Sequence, residues 1–356
     1  VDIIDLAVLR GSSLQDVEDL LRDVSSNEKL AAEIIDHAGA RSGDDEDNSP
    51  AGARLAGAIL AREAGVTEKG DALFQSALQL LKPEDRAAWL VQWGLEQLLA
   101  DRYEPAAATF RNALGEEIPE TQQAASRFYL VRSLALAGLT DEALKEARSG
   151  AAAHPDIPRL QAQPGWVLYY AERYEEAEEA YSELLERFDP LHDSPDVRQA
   201  VRDARLVLSN ICVQLERTPQ AEEWLEQVLD EFPEDIGALN DLGYLWAEQG
   251  KNLNRSLAMI QKAVEGDPEN EAYLDSLGWA FYQLERYSEA VEPLEKATSG
   301  EEPDAVILDH LGDAYLKAGQ PQKAIAAWRR AVKSLRDDGD KSKRKTIQQK
   351  IRKHET

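Results

Sequence analysis

Gly243, Gly278 and Gly312 stand 35 and 34 residues apart, each preceded by a leucine (Leu242, Leu277, Leu311) and followed three residues later by an aromatic side chain (Trp246, Phe281, Tyr315). A frame repeated at about 34 residues constrains the chain strongly. Such a unit is one helix pair, too small to bury its own apolar face, so copies must stack on one another. The expected product is an extended surface rather than a single pocket.

The frame extends backward through further marks. A small residue follows the glycine by twelve positions, a bulky one comes four later, and a proline closes the unit because it lacks an N–H and clashes with the preceding turn. Ala290, Leu294 and Ala297 fit one unit, and Ala324, Trp328 and Ala331 the next. With one inserted residue, Ser256, Ile260, Ala263 and Pro268 fit the unit before. Upstream, Ala221, Leu225, Val228 and Pro233 fit with Ser209 in place of glycine, and Ala177, Tyr181 and Leu184 fit with Gly165. Ala143, Ala147 and Pro155 mark another unit, and Ala106, Phe110, Ala113 and Pro119 mark one with Gly94. Phe74, Ala77 and Pro83 are the faintest set. The reading is about eight units over residues 51–338, with the small residue placed where the two helices of a unit cross.

These marks resemble the tetratricopeptide repeat family over roughly four fifths of the chain, most specifically in the last three units. The resemblance implies an all-α fold, a right-handed superhelical solenoid of antiparallel helix pairs whose first helices line a concave groove. Its flavour is that of bacterial multi-repeat arrays, as in Leu-Asn-Asp-Leu-Gly-Tyr at residues 239–244. It does not by itself name a function, because one fold hosts many.

Residues 1–50 read as an N-terminal helical segment (Leu14, Val17, Leu20, Leu21, then Leu30, Ile34, Ile35 at helical spacing) ending in a polar acidic linker over residues 42–50. Pro164 falls where a first helix would be under way. A mid-helix proline costs about 3 kcal/mol, so that helix is expected to start near Gln163 and Pro164, where proline fits the first turn. About twelve extra residues over 190–201 follow. We therefore expect an irregular joint over residues 158–201, either a local adjustment or a bend between two sub-arrays. Residues 339–356 form a basic tail in which Ile347 and Ile351 share a helix face. It reads as a cap over the last repeat, or as a cationic arm for an acidic partner or anionic lipid.

The formal net charge is −27, yet residues 329–356 hold eleven Lys/Arg against four Asp/Glu, a net of +7 that leaves −34 for the rest. So acidic a body repels phosphate backbones, and nucleic acid is not expected as a partner. Membrane contact is expected only through the basic tail. The single cysteine suits a reducing cytosol and a bacterial envelope compartment alike. The chain begins at Val1 rather than Met, so a preceding segment is expected, which could hold a signal, an anchor or a catalytic domain.

The search for chemistry is mostly negative. His37, His154, His192, His310 and His354 include no pair at the helical spacing of a zinc site. No glycine-rich phosphate loop occurs. Cys212 falls at a core position and reads as a small buried hydrophobe. Asp44, Asp45, Glu46 and Asp47 lack the spacing of a calcium loop. No enzyme activity, cofactor or metal is expected.

The resemblance assigns a groove instead. In the family's geometry the fifth, sixth and ninth positions of each first helix face it. Here these are Asn240, Asp241 and Tyr244; Asp275, Ser276 and Trp279; Asp309, His310 and Asp313; and Asn210 at the ninth position one unit earlier. Amides can pair with an extended peptide's backbone, acids favour Lys or Arg, and aromatic rings give rigid contact area. The family's carboxylate-gripping variety would need Lys or Arg at these positions, and they hold none. The expectation is a non-catalytic scaffold that binds a protein or extended peptide, a basic one included, through the groove of the C-terminal repeats. The alternatives are a self-assembling array and an interaction segment of a larger protein.

Overall fold

The computed structural model describes residues 27–40, 50–116, 118–190, 194–335 and 341–355. Leu14, Val17, Leu20 and Leu21 lie outside them, as do residues 41–49, with most of the acidic linker, and His192. Every regular element among the described residues is a helix. The chain divides into two compact units, Val1–His154 and Pro155–Thr356. The division falls inside the stretch read as one array, just before the Pro164 region.

The first unit holds α1 (Glu28–Ala40) and three helix pairs: α2 (Pro50–Glu63) with α3 (Thr67–Leu78), α4 (Pro83–Leu99) with α5 (Tyr103–Leu114), and α6 (Glu120–Leu136) with α7 (Thr140–Ala153). Leu55, Ile59, Leu73, Phe74, Leu90 and Trp93 share its main core, and the rings of Phe74 and Trp93 stack at 4.7 Å.

The second unit opens with the one-turn α8 (Pro158–Gln161) and α9 (Gln163–Tyr170), with Pro164 in the first turn as its missing N–H requires. α9 pairs with α10 (Tyr174–Phe188). Four more pairs follow: α11 (Pro195–Gln214) with α12 (Thr218–Glu231), α13 (Ile236–Glu248) with α14 (Leu253–Gly266), α15 (Glu271–Gln283) with α16 (Tyr287–Ala297), and α17 (Ala305–Lys317) with α18 (Pro321–Ser334). The last helix is α19 (Lys341–His354). The extra residues expected to be irregular are helical from Pro195 onward, where they lengthen α11 to 20 residues.

The repeated marks have direct physical roles. A Cβ on Gly243 would lie 2.7 Å from Ile260, one on Gly94 2.8 Å from Phe110, and one on Gly165 2.9 Å from Tyr181. On Gly278 and Gly312 it would overlap Leu294 and Trp328 outright. The glycine thus receives the bulky side chain of its partner helix, and the small residue four positions earlier completes the close approach. At Ser256 that small residue also donates its hydroxyl to the Gly243 carbonyl at 2.6 Å. Where the third pair carries Val131 in the glycine's place, the bulky position has become Ala147, and both are buried.

Helix starts repeat on the same ruler. Asp235, Asn270 and Asp304, each eight residues before its glycine, cap α13, α15 and α17 by accepting from the backbone N–H of Ala238, Ala272 and Val306 at 2.8, 3.1 and 2.6 Å. The turn inside each pair uses a left-handed residue. It is glycine at Gly65, Gly138, Gly250 and Gly319, but Asp101, Glu172, Glu216 and Glu285 adopt the same conformation at φ 56° to 60°.

Candidate functional site: the face of the first helices in the second unit

Consecutive first helices α13, α15 and α17 touch side by side, so their equivalent positions form a continuous strip. Asn210, on α11, is exposed, and its amide donates to the Leu206 carbonyl of its own helix at 3.1 Å. On α13, Asn240 is 5% exposed. It donates to Asp241 Oδ1 at 3.2 Å, while its own Oδ1 has no partner. Burial pushes the Asp241 carboxyl above its ordinary range, and the Asn240 bond offsets that only in part. Tyr244 is half-buried, and its phenol is raised by burial and by the neighbouring carboxylates Glu248 and Asp275.

The centre of the strip is a link between two repeats. His310 Nδ1 on α17 donates to Asp275 Oδ1 on α15 at 2.8 Å, and both residues are buried. Trp279 lies between two rings, 4.1 Å from His310 and 4.8 Å from Tyr282, with interplanar angles of 19° and 5°. Its indole N–H is buried without an acceptor. Ser276 is turned back onto its helix and donates to the Ala272 carbonyl at 2.9 Å. Burial works against a charged His310. The Asp275 hydrogen bond and the charges of Asp275, Glu248 and Asp309 outweigh it and raise the imidazole above its ordinary value.

At the far end the strip is closed by the chain itself. Lys350 of α19 donates to Asp309 Oδ1 and Asp313 Oδ2, each at 2.8 Å. Burial raises the Asp313 carboxyl, with the Lys350 ammonium pulling the other way. α19 is held by three further contacts. Ile347 is buried in the core that contains Trp328, Ile351 packs against that core, and Arg344 donates to the Val332 and Leu335 carbonyls at 2.9 and 2.8 Å. The fifth, sixth and ninth positions of α13, α15 and α17 carry no Lys or Arg, but the strip does receive a lysine, from α19.

Of the ten residues named from sequence, nine lie on α13, α15 and α17, and Asn210 lies apart on α11. Asp275, Trp279 and His310 join one cluster, and Asp309 and Asp313 another. Asn210 and Ser276 bond only to their own helices. Three contributors were missed: Tyr282, Glu248 and Lys350. Tyr282 lies one turn beyond Trp279, a signal that spacing alone could have supplied. Cys212 is buried on α11, and burial pushes its thiol upward, away from the reactive thiolate. Among the described residues no group of three His, Cys, Asp or Glu side chains is placed to hold a metal ion, and no helix is long and apolar enough to cross a membrane.

Family models described as tetratricopeptide repeat match residues 165–236, 241–305 and 308–335. Over these residues the chain carries tetratricopeptide repeats. Over 155 residues it is 27% identical to a TPR repeat-containing protein of Pseudomonas aeruginosa, a stretch that is 43% of this chain and 25% of that one. The chain therefore spans a quarter of that relative's length. Among solved structures, a tetratricopeptide repeat protein from Parabacteroides merdae aligns with a TM-score of 0.53 at 16% identity, covering 76% of this chain and 99% of that one. Cut9, from the APC/C hetero-tetramer Cut9–Hcn1, aligns at 0.55 and 14% identity over 93% of this chain and 68% of its own. Yeast Tom70 aligns at 0.51 and 14% over 94% and 73%. At these identities the structures show the fold alone. Tetratricopeptide-repeat proteins commonly mediate protein–protein interaction and are typically non-catalytic, and the strip on α13, α15 and α17 is the first-helix face of three such repeats.

Proposed function

We infer that the protein is a non-catalytic scaffold that binds an extended, basic segment of a protein partner along the strip from Asn240 to Trp279. The observation that carries this reading is Lys350 between Asp309 and Asp313. Two carboxylates one helical turn apart on a first helix already hold an ammonium, each at 2.8 Å, which is the chemistry a partner's Lys or Arg would use next to Asp241 and Glu248. The half-buried Asp241 favours this, since its carboxyl is raised by burial and a cation alongside would relieve that cost. Tyr244, Trp279 and Tyr282 add rigid aromatic area of the kind that dominates interface energies. Asp275 and Asp309 already hold His310 and Lys350, so a partner would meet Asp241 and Tyr244 first.

The test is fluorescence anisotropy with labelled extended peptides of matched length, Lys/Arg-rich or Asp/Glu-rich. The basic series binds, and Asp241→Ala with Tyr244→Ala weakens it at least tenfold while the circular dichroism spectrum stays that of the wild type. Equal affinity for both peptide series, or an unchanged affinity in the folded double variant, overturns the reading.

A further inference from the structure

A second charged surface lies away from the strip, on the outer side of α19. That helix is pinned by Ile347, Ile351, Arg344 and Lys350, which fixes the opposite side toward solvent. Lys341, Lys345 and Arg352 are exposed there. At 100° per residue their spacing of i, i+4 and i+11 places them within about 40° of arc over roughly 16 Å of helix. None of the three has an ion-pair partner among the described residues. The same spacing with opposite charge occurs on α10, a second helix of the array: Glu175, Glu179 and Glu186 are exposed at i, i+4 and i+11, again without ion-pair partners among the described residues.

We propose that the cationic stripe of α19 docks on the carboxylate stripe of α10 in a second copy of this chain. The two stripes match in charge, length and spacing, so helices laid side by side pair all three charges at once. The contact joins two different surfaces. It is heterologous and leaves a free stripe of each sign at the ends of every complex, so association grows with concentration. Other anionic partners fit less well. Around the three cations the outer side of α19 carries Ser342, Thr346, Gln349 and Lys353 and offers no apolar side chain for insertion into a bilayer. A lipid or nucleic-acid surface presents no carboxylates at this i, i+4, i+11 spacing, whereas α10 offers them in the stripe's own register.

Light scattering across protein concentration tests this at ~0.01 M ionic strength, where the Debye length is about 30 Å, and at ~1 M, where it is about 3 Å. The wild type grows above the monomer mass at low salt and returns to it at high salt. Lys341→Glu, Lys345→Glu and Arg352→Glu together give a monomer, and so do Glu175→Lys, Glu179→Lys and Glu186→Lys together. An equimolar mixture of the two variants associates again, because each then offers the stripe the other lacks. Neutral Gln versions of both sets, checked by circular dichroism, separate lost pairing from lost fold and also remain monomeric. A wild type that stays monomeric at low salt overturns the proposal, as does a folded mixture that does not associate. If that monomer binds phosphatidylserine vesicles or a short DNA duplex through α19, the stripe belongs to those ligands instead.

Discussion

Gly312→Ala isolates the device that makes these repeats possible. The added Cβ would overlap the indole of Trp328, the largest fully buried side chain among the described residues. In an open helix the same change would stabilise by about 1 kcal/mol. Against a rigid, enclosed ring it adds an overpacking cost of about 1–3 kcal/mol, taken at the upper end because the indole cannot swing clear. The expected net loss is about 2 kcal/mol. Gly150→Ala on α7 is the control: its new Cβ meets only Arg127 Cδ at 3.8 Å, so it should gain about 0.5–1 kcal/mol. Urea denaturation with hydrogen exchange read on α17 and α18 separates a local loss from a global one, since repeat arrays need not unfold in one step. The decisive reading is a double-mutant cycle. In a Trp328→Ala background Gly312→Ala should cost nothing or stabilise, a coupling of about 1–3 kcal/mol. Additive effects, or a destabilising Gly150→Ala as large as Gly312→Ala, would refute the reasoning.

Other outcomes follow from the same geometry. His310 has a folded-state value raised above its ordinary one despite burial, through Asp275, Glu248 and Asp309, so its contribution is fully present below about pH 6.5 and lost as pH rises through the raised value. The difference in melting temperature between wild type and His310→Gln should therefore shrink with rising pH, and a difference independent of pH between about 5 and 9 contradicts the link. Glu285→Gly should stabilise by up to about 1 kcal/mol, because Glu285 sits at φ 60° where a side chain is disfavoured; a lower melting temperature would count against that. Lys350→Met should release part of α19 for about 1 kcal/mol, discounted for partial exposure. Faster hydrogen exchange over residues 341–355 with α13 unchanged is the expected signature.

Most of the fold was legible because its determinants are local and periodic. The glycine, the small residue and the bulky residue recur within a single helix pair, so one sequence frame carries the whole packing rule. Pro164 could be placed for the same reason, since its effect acts within one turn. The length of α11 was not legible: residues 195–201 show no repeat mark, and only their packing decides that they are helical. The strip divides likewise. Its composition could be read from the frame, but its internal bonds join residues 35, 37 and 41 positions apart. The pairing of Asp275 with His310 needs adjacent first helices in register. That of Lys350 with Asp309 and Asp313 needs α19 seated on α18, through a segment in which only Ile347 and Ile351 hint at an apolar face. The buried amide of Asn240, read from sequence as a peptide grip, shows the same limit, because exposure is set by the neighbouring helix rather than by position in the repeat.

The central claim is that the first-helix strip of the C-terminal repeats is where a partner binds. Hydrogen exchange with and without a bound Lys/Arg-rich extended peptide tests it most directly. The account predicts slowed exchange on peptides covering Asn240–Glu248 of α13 and Glu271–Tyr282 of α15, with no change on the second helices α14 and α16. Protection confined to second helices, or absent from the strip while the peptide is bound, would contradict it.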